Sequence, residues 1–145
     1  MSLPRQASTA SENQAAKEFL VVCLCAEWCT TCREYRPGFN DLAAEFPEAS
    51  FCWLDIEERA DDLGDLEVEN FPTLLIQRRI VNPQTSSAAV LFFGTMPPQL
   101  GHLRRMLASL REQSPQESRD YALSSPERQG WQHDPDISHL GDRVA

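Results

Sequence analysis

The chain has 145 residues, which suits a single domain, and 41% of them are hydrophobic, enough for a substantial core. The formal net charge of −9 argues against nucleic acid or anionic lipid as the main partner. No apolar run approaches the ~18–20 residues of a membrane span, and the N-terminal residues lack the apolar segment of a secretory signal. We therefore expect a cytoplasmic monomer with no nucleic-acid or membrane partner.

The N-terminal part of the chain is predicted to alternate between helix and strand. Residues 1–10 are predicted to be a flexible arm, and residues 11–17 a short helix. Phe19–Ala26 is an apolar run without polar alternation, which is typical of a strand buried on both faces. The apolar spacing from Tyr35 to Phe46 predicts a helix, and Pro37 should kink it.

The middle of the chain is predicted to continue this alternation. The elements expected in order are a strand at Ser50–Ile56, a short helix at Ala60–Leu66, a strand at Phe71–Gln77, a polar connection at Arg78–Ser87, a strand at Ala88–Gly94 and a helix at Pro97–Leu110. The last two strands can pair as a hairpin. The whole order of elements indicates an α/β fold.

The composition changes near Gln113. From there onward Ser, Pro, Gln and acidic residues dominate, and apolar residues become sparse. This composition predicts an acidic, disordered tail over residues 113–145, so the folded domain is expected to occupy residues 11–112.

The stretch A-E-W-C-T-T-C-R-E-Y, Ala26–Tyr35, contains the most reactive candidates. Cys29 stands between a buried strand and a helix, where backbone N–H groups and the helix dipole favour a thiolate, and Cys32 lies in the first helical turn. A zinc site needs four ligands, but the chain has one C-x-x-C and three histidines. Zinc ligation and ordinary core packing remain alternatives, and a redox pair is what C-x-x-C in this context typically indicates.

The other three cysteines are interpreted as core residues, and a third redox thiol beneath the active site is the alternative for Cys23. Cys23, Cys25 and Cys52 lie within predicted strands, where cysteine behaves as a small hydrophobic residue. A total of five cysteines also excludes a complete disulfide framework, since the number is odd.

Several spaced features accompany the two cysteines. Pro37 follows Cys32 by five residues, F-P-T-L-L contains Pro72 at the start of the third strand, and Gly94 closes the fourth strand. Together with A-E-W-C-x-x-C-R, they resemble the thioredoxin family over about residues 11–111. The resemblance implies a thioredoxin fold with an approximately four-stranded mixed sheet flanked by helices.

The resemblance also implies a mechanism and a set of site residues. Cys29 would attack a disulfide of a client protein, and Cys32 would resolve the mixed disulfide, leaving a reversible Cys29–Cys32 disulfide and needing no bound cofactor. Electrons would come from a reductase or a small-thiol donor. Clients would contact an apolar surface beside Cys29 and backbone groups next to a cis Phe71–Pro72 bond. The residues expected to bind clients are Trp28, Phe71, Pro72, Thr73 and Gly94.

The chain also departs from the family pattern. Thioredoxins usually have a buried aspartate six residues before the first cysteine and a nearby lysine on the next strand, and Cys23 and Trp53 occupy these positions here. The buried carboxylate that would accept the proton of Cys32 is therefore missing, and Glu27, adjacent in sequence, is expected to be too exposed to replace it fully. A binding or chaperone module with slow redox turnover is accordingly the alternative to an active thiol–disulfide oxidoreductase. The side chains expected to modulate the site are Cys23, Glu27, Thr30, Thr31, Arg33 and Trp53.

Overall fold

The computed structural model describes residues 17–81 and 86–144, in which four strands form one sheet in the order β2-β1-β3-β4. The strands are β1 (Phe19–Cys25), β2 (Ala49–Asp55), β3 (Thr73–Val81) and β4 (Ser86–Thr95). β1 is parallel to β2 and antiparallel to β3, and β3 is antiparallel to β4. The expected mixed sheet is confirmed, whereas the expected arm at 1–10 and nearly all of the helix at 11–17 lie outside the described residues.

Helices connect the strands as the sequence predicts. α1 (Thr30–Glu45) contains Pro37, a 3-10 helix covers Ala60–Leu63, and α2 (Leu100–Arg111) follows the hairpin. α1 begins at Thr30, directly after Cys29, which confirms the expectation that Cys32 lies in the first helical turn. Within the described residues, no helix has both the length and the apolar character needed to span a bilayer.

The hairpin strands are longer than predicted. β3 continues through Arg78 to Val81, and β4 begins two residues before the predicted start at Ala88. The prediction of a polar connection from residue 78 is wrong, because polar residues of β3 are buried and hydrogen-bonded to other parts of the chain.

The two faces of the sheet are both covered, as the apolar run of β1 predicted. Val21, Cys23 and Cys25 point to the face that packs against α1 and α2. Val22 and Leu24 point to the opposite face. All five side chains are fully buried, with exposures of 0%.

The second face is covered by a part of the chain that was predicted to be disordered. Residues 113–144, here called the C-terminal segment, form α3 (Pro115–Ala122), α4 (Pro126–His133), α5 (Pro135–Ser138) and α6 (Leu140–Val144). Ile137 and Leu140 pack with Val22 and Leu24 in the same apolar cluster. The disorder prediction is therefore wrong for these residues, because their few apolar side chains are positioned to complete a core.

Local capping explains why the C-terminal segment forms helices. Ser114 accepts a hydrogen bond from the Glu117 N–H, and the Glu117 carboxylate accepts one from the Ser114 N–H, which is a complete capping box. Ser125 and Asp134 cap the next two helices through their side chains. A proline follows each of these three caps at the first helical position, where its missing N–H costs nothing.

Two polar side chains attach the C-terminal segment to the hairpin. Arg78 is 4% exposed, and its Nη1 donates to the Gln113 carbonyl and to the Ser118 hydroxyl at 2.8 Å each. Gln132 forms two hydrogen bonds with the backbone of Val90, accepting from its N–H at 2.8 Å and donating to its carbonyl at 2.7 Å. Gln132 thus satisfies backbone groups at the edge of the sheet that would otherwise need a neighbouring strand.

Candidate active site

Cys29 occupies the N-terminus of α1, as the sequence predicted. It is the N-cap residue of the helix, with φ −85° and ψ 121°, and its side chain is half-buried. Its N–H donates to the Ala26 carbonyl at 3.0 Å, and its own carbonyl accepts from the Arg33 N–H at 3.1 Å. The thiol therefore stands at a tight turn where the positive end of the helix dipole reaches the surface.

Cys32 lies one turn into α1 but is bonded to an unexpected partner. It is 1% exposed and forms a disulfide with Cys25 at the end of β1, with the two Cα atoms 5.8 Å apart. The expected Cys29–Cys32 disulfide is not the one formed, and Cys29 is a thiol. The interpretation of Cys25 as an ordinary core cysteine is wrong, because β1 points its side chain at the first turn of α1.

Cys23 is buried beside this disulfide. Its thiol lies 3.9 Å from Cys25 Sγ, and burial raises the pKa of the Cys23 thiol well above its usual range. In the pairing of β1 with β2 it stands opposite Trp53, as the family comparison of positions implied. Tyr35 packs in the same cluster, and burial followed by the proximity of Cys23 raises the pKa of its phenol.

The Tyr35 hydroxyl has no hydrogen-bond partner among the described residues, although it is buried. This region is therefore apolar in its contacts but holds one polar atom able to donate a hydrogen bond. A carboxylate introduced at position 23 would therefore lie in an apolar region that contains one hydrogen-bond donor.

The family resemblance implies that Cys32 resolves a mixed disulfide with a client, and we expect Cys23→Asp to speed that step while lowering stability. Burial without a lysine nearby should raise the pKa of the new carboxyl, so that it accepts a proton near neutral pH. Because the folded state would then hold the proton more tightly than the unfolded state, stability should fall as pH rises from ~4 toward the raised pKa.

Stopped-flow kinetics and urea unfolding at several pH values would check both parts of this expectation. Cys23→Ala is the matched control, since it removes the thiol without adding an acid. Unchanged or slower resolution in a folded Cys23→Asp protein would show that another group already accepts the proton, and Glu27 would be examined first.

The residues expected to bind clients meet at the Cys29 end of the sheet. The Phe71–Pro72 bond is cis, which agrees with the expectation from the family resemblance. Thr73 pairs with Leu24, so the proline precedes β3 at the level where β1 ends in Cys25. Trp28 is 60% exposed, and its ring makes an edge-on contact with Phe71, with the centroids 5.6 Å apart.

Gly94 and Pro72 are joined through the hairpin. Gly94 pairs with Leu74, one residue along from Thr73, and the Pro72 carbonyl accepts a hydrogen bond from the Met96 N–H at 3.1 Å. Gly94 has φ +154°, a conformation that a residue with a side chain adopts only with strain. The end of β4 is thereby held next to the cis-proline segment.

The loop before Cys29 is held by two acidic residues that the sequence did not single out. Asp55, at the end of β2, accepts from the Glu27 N–H at 3.2 Å, and Glu57 accepts from the Trp28 indole N–H at 2.8 Å. The available signal was their position at the end of a predicted strand, with Asp55 near its C-terminal end and Glu57 directly after it. They fix the orientation of the loop and of the exposed tryptophan.

The remaining residues expected to modulate the site lie around the same turn. The Arg33 guanidinium donates to the Glu27 carbonyl at 2.9 Å and to the Thr30 hydroxyl at 3.3 Å, and Thr31 is half-buried in the first turn of α1. Trp53 is half-buried on β2, with the Arg36 guanidinium 5.0 Å from its ring centroid. In the described ranges, no cluster of three or more His, Cys, Asp or Glu residues could hold a metal ion.

Comparison with known protein sequences supports the resemblance to thioredoxins. A family model for thioredoxin matches residues 5–90. The putative thioredoxin H10 of Arabidopsis thaliana is 33% identical over 75 residues, which cover 48% of this chain and 49% of that protein. Thioredoxin-1 of Saccharomyces cerevisiae is 35% identical over 74 residues, 49% of this chain and 72% of that protein. The match thus spans about half of the Arabidopsis relative and nearly three quarters of the yeast one.

Comparison with solved structures supports the same fold. The crystal structure of thioredoxin from Trypanosoma brucei brucei superposes with a TM-score of 0.54 at 20% sequence identity, covering 73% of this chain and 86% of that one. A Fasciola hepatica thioredoxin gives a TM-score of 0.51 at 21% identity, with 73% and 91% covered. The expected fold is confirmed by these superpositions.

Proposed function

Since this chain belongs to the thioredoxin family, we propose that it is a thiol–disulfide oxidoreductase that exchanges the Cys29–Cys32 dithiol with disulfides of client proteins. The observation that carries the proposal is the position of the two sulfurs. Cys29 is a half-exposed thiol at the N-terminus of α1, and Cys32 in the same helical turn has a sulfur able to form a disulfide. A surface nucleophile with a resolving cysteine behind it is what the reaction requires.

In the proposed cycle, the fully reduced protein transfers two electrons to the client. The Cys29 thiolate attacks one sulfur of the client disulfide, forming a mixed disulfide and releasing the first client thiolate. The Cys32 thiolate then attacks Cys29 Sγ, which forms the Cys29–Cys32 disulfide and releases the second client thiolate. A dithiol donor returns the two electrons, and the client thiolates take their protons from solvent.

The surroundings of Cys29 support recognition of an extended client segment. The Trp28 and Phe71 rings form an apolar surface directly beside the turn that holds Cys29. Thr73 and Gly94 belong to the strand ends at this edge, and Pro72 precedes them in a cis bond. Backbone groups there provide hydrogen bonds that do not depend on the client's sequence, so specificity would come from contacts with the rings.

The proposal includes the location and the partners of the protein. A cytoplasmic location fits a disulfide that is made and broken during turnover, since disulfides in that compartment are usually catalytic or redox-sensing. A reductase or a small thiol would supply electrons, and the negative charge disfavours nucleic acid as a partner. Fractionation of cells that express the full chain would test the location.

We expect reduced Cys32→Ser protein to accumulate a mixed disulfide with insulin, used here as a test client. Without the resolving thiol, the bond between Cys29 and the client has no efficient intramolecular route to cleavage. The full chain would be reduced, freed of reductant, mixed with insulin and examined by non-reducing electrophoresis and mass spectrometry.

Two variants control this measurement. Cys52→Ser removes a cysteine on the opposite side of the sheet and should trap no client. Cys29→Ser/Cys32→Ser should also trap none. A conjugate of equal yield in this double variant would show that Cys29 is not the attacking residue.

A further inference from the structure

Three sulfurs of this protein, those of Cys23, Cys25 and Cys32, meet around Cys25, and only Cys32 among them takes part in the proposed Cys29–Cys32 cycle. Cys25 is bonded to Cys32, and the buried Cys23 thiol lies 3.9 Å from Cys25 Sγ. All three residues belong to the same buried cluster, and half-buried Cys29 packs against it. The buried disulfide and the half-exposed thiol therefore share one region of the fold.

We propose that Cys25 is a third redox cysteine of this site, and that Cys32 exchanges its disulfide partner between Cys25 in the core and Cys29 at the surface. This inference rests on the proposed function, because it assumes that Cys29–Cys32 is the pair that reacts with clients. It adds a second disulfide isomer, in which the disulfide bond lies in the core of the protein.

The exchange is a balanced thiol–disulfide reaction with no external oxidant. Cys29 loses its proton to solvent, and its thiolate attacks Cys32 Sγ. The Cys29–Cys32 bond forms, the Cys25–Cys32 bond breaks, and Cys25 leaves as a thiolate that then takes a proton. The number of disulfides and the oxidation state of the protein are unchanged.

The positions of the three cysteines in the fold allow either bond. Cys29 and Cys32 are the N-cap and the third residue of α1, positions whose side chains and backbones commonly contact each other across a first helical turn. Cys25 and Cys32 have Cα atoms 5.8 Å apart, within the usual range for a disulfide. Because Cys32 Sγ can bond to one partner at a time, the two bonds are mutually exclusive.

Hydrogen bonds around the reacting sulfurs favour exchange over a permanently fixed disulfide. The Ala26 N–H donates to Cys32 Sγ at 3.4 Å, and the Cys23 thiol donates to Cys25 Sγ. Burial keeps Cys23 protonated, so that its S–H remains a donor to the sulfur that leaves. A donor next to the departing thiolate offsets part of the cost of forming a negative charge in the core.

The exchange has a consequence for how the site acts on clients. In the Cys25–Cys32 isomer, Cys29 can still attack a client disulfide, but Cys32 is already bonded and does not resolve the product. The protein would then retain its client until a reductant opens the buried disulfide. Formation of the Cys25–Cys32 disulfide would therefore stop turnover and leave the client bound to Cys29 as a mixed disulfide.

Disulfide mapping of the oxidised full chain tests the inference. Protein treated with one equivalent of diamide would be quenched in acid, labelled with N-ethylmaleimide and analysed by peptide mass spectrometry. We expect both Cys25–Cys32 and Cys29–Cys32 bonds in the wild type, with Cys29 partly labelled. Cys25→Ala should contain only the Cys29–Cys32 bond, so that labelling of Cys29 falls to near zero.

Cys29→Ala keeps the inference testable if the core substitution impairs folding. This surface variant should still lose two thiols on oxidation and should yield the Cys25–Cys32 peptide, whereas Cys52→Ser should match the wild type. The inference is overturned if Cys29→Ala keeps all its thiols, or if the wild type contains only Cys29–Cys32. Either result leaves the proposed function intact, because insulin trapping and insulin reduction are measured separately.

Discussion

Cys29→Ser is expected to reduce the catalysed rate of insulin reduction by dithiothreitol to the rate seen without protein. A serine hydroxyl is not ionised near neutral pH and forms no disulfide, so the first step of the proposed cycle is lost. The surroundings of position 29 tolerate the change, because the side chain is half-exposed and makes no capping hydrogen bond. The turbidity of precipitating insulin B chain would provide the rate.

The matched control for this loss is Cys52→Ser, which makes the same chemical change on β2. Cys52 packs with the cluster on the opposite face from Cys25 and Cys32, so the catalysed rate should stay close to that of the wild type. Circular dichroism would confirm that both variants are folded. Wild-type activity in Cys29→Ser/Cys32→Ser would exclude the dithiol cycle and favour a binding module.

Leu140→Ala is expected to lower the free energy of unfolding by about 2–5 kcal/mol. Leu140 is 0% exposed and belongs to the cluster that contains Val22, Leu24 and Val90. Its truncation leaves a cavity between the C-terminal segment and the sheet, in addition to the lost transfer free energy. Since small domains are stable by only ~5–15 kcal/mol, this change should be large enough to measure by urea denaturation.

Leu123→Ala is the appropriate comparison, because it is the same substitution within the same segment. Leu123 is 50% exposed, so its truncation should change stability by no more than ~0.5 kcal/mol. Equal effects of the two substitutions would mean that the C-terminal segment is not packed on the sheet in solution. Equal effects would also support the disorder that the composition predicted.

The sequence alone determined the order of the strands and connecting helices and the position of the reactive turn, but not the lengths of the two hairpin strands. Phe19–Cys25 is apolar at every residue, which is possible only for a strand covered on both faces, and the structure covers both. The placement of Cys29 at a strand-to-helix junction follows from the same local patterns. These features are local in sequence, so a single chain is sufficient to predict them.

The sequence of the C-terminal segment contains local signals for its helices, but none for the packing of these helices on the sheet. Ser-Pro and Asp-Pro pairs mark the starts of α3, α4 and α5, and the capping box of Ser114 and Glu117 is visible in the sequence. Apolar residues such as Leu140 are too sparse there to predict a core. They become buried only because the sheet presents an apolar face to cover, which is a tertiary property.

The partner of Cys32 was likewise decided by the tertiary structure. Sequence spacing favours Cys29, three residues away, whereas Cys25 is seven residues away and lies in a strand. Which sulfur meets Cys32 depends on how α1 packs across the end of β1 and on the alternation of side chains along that strand. Because Cys25 points to the face that α1 covers, packing brings the two sulfurs together.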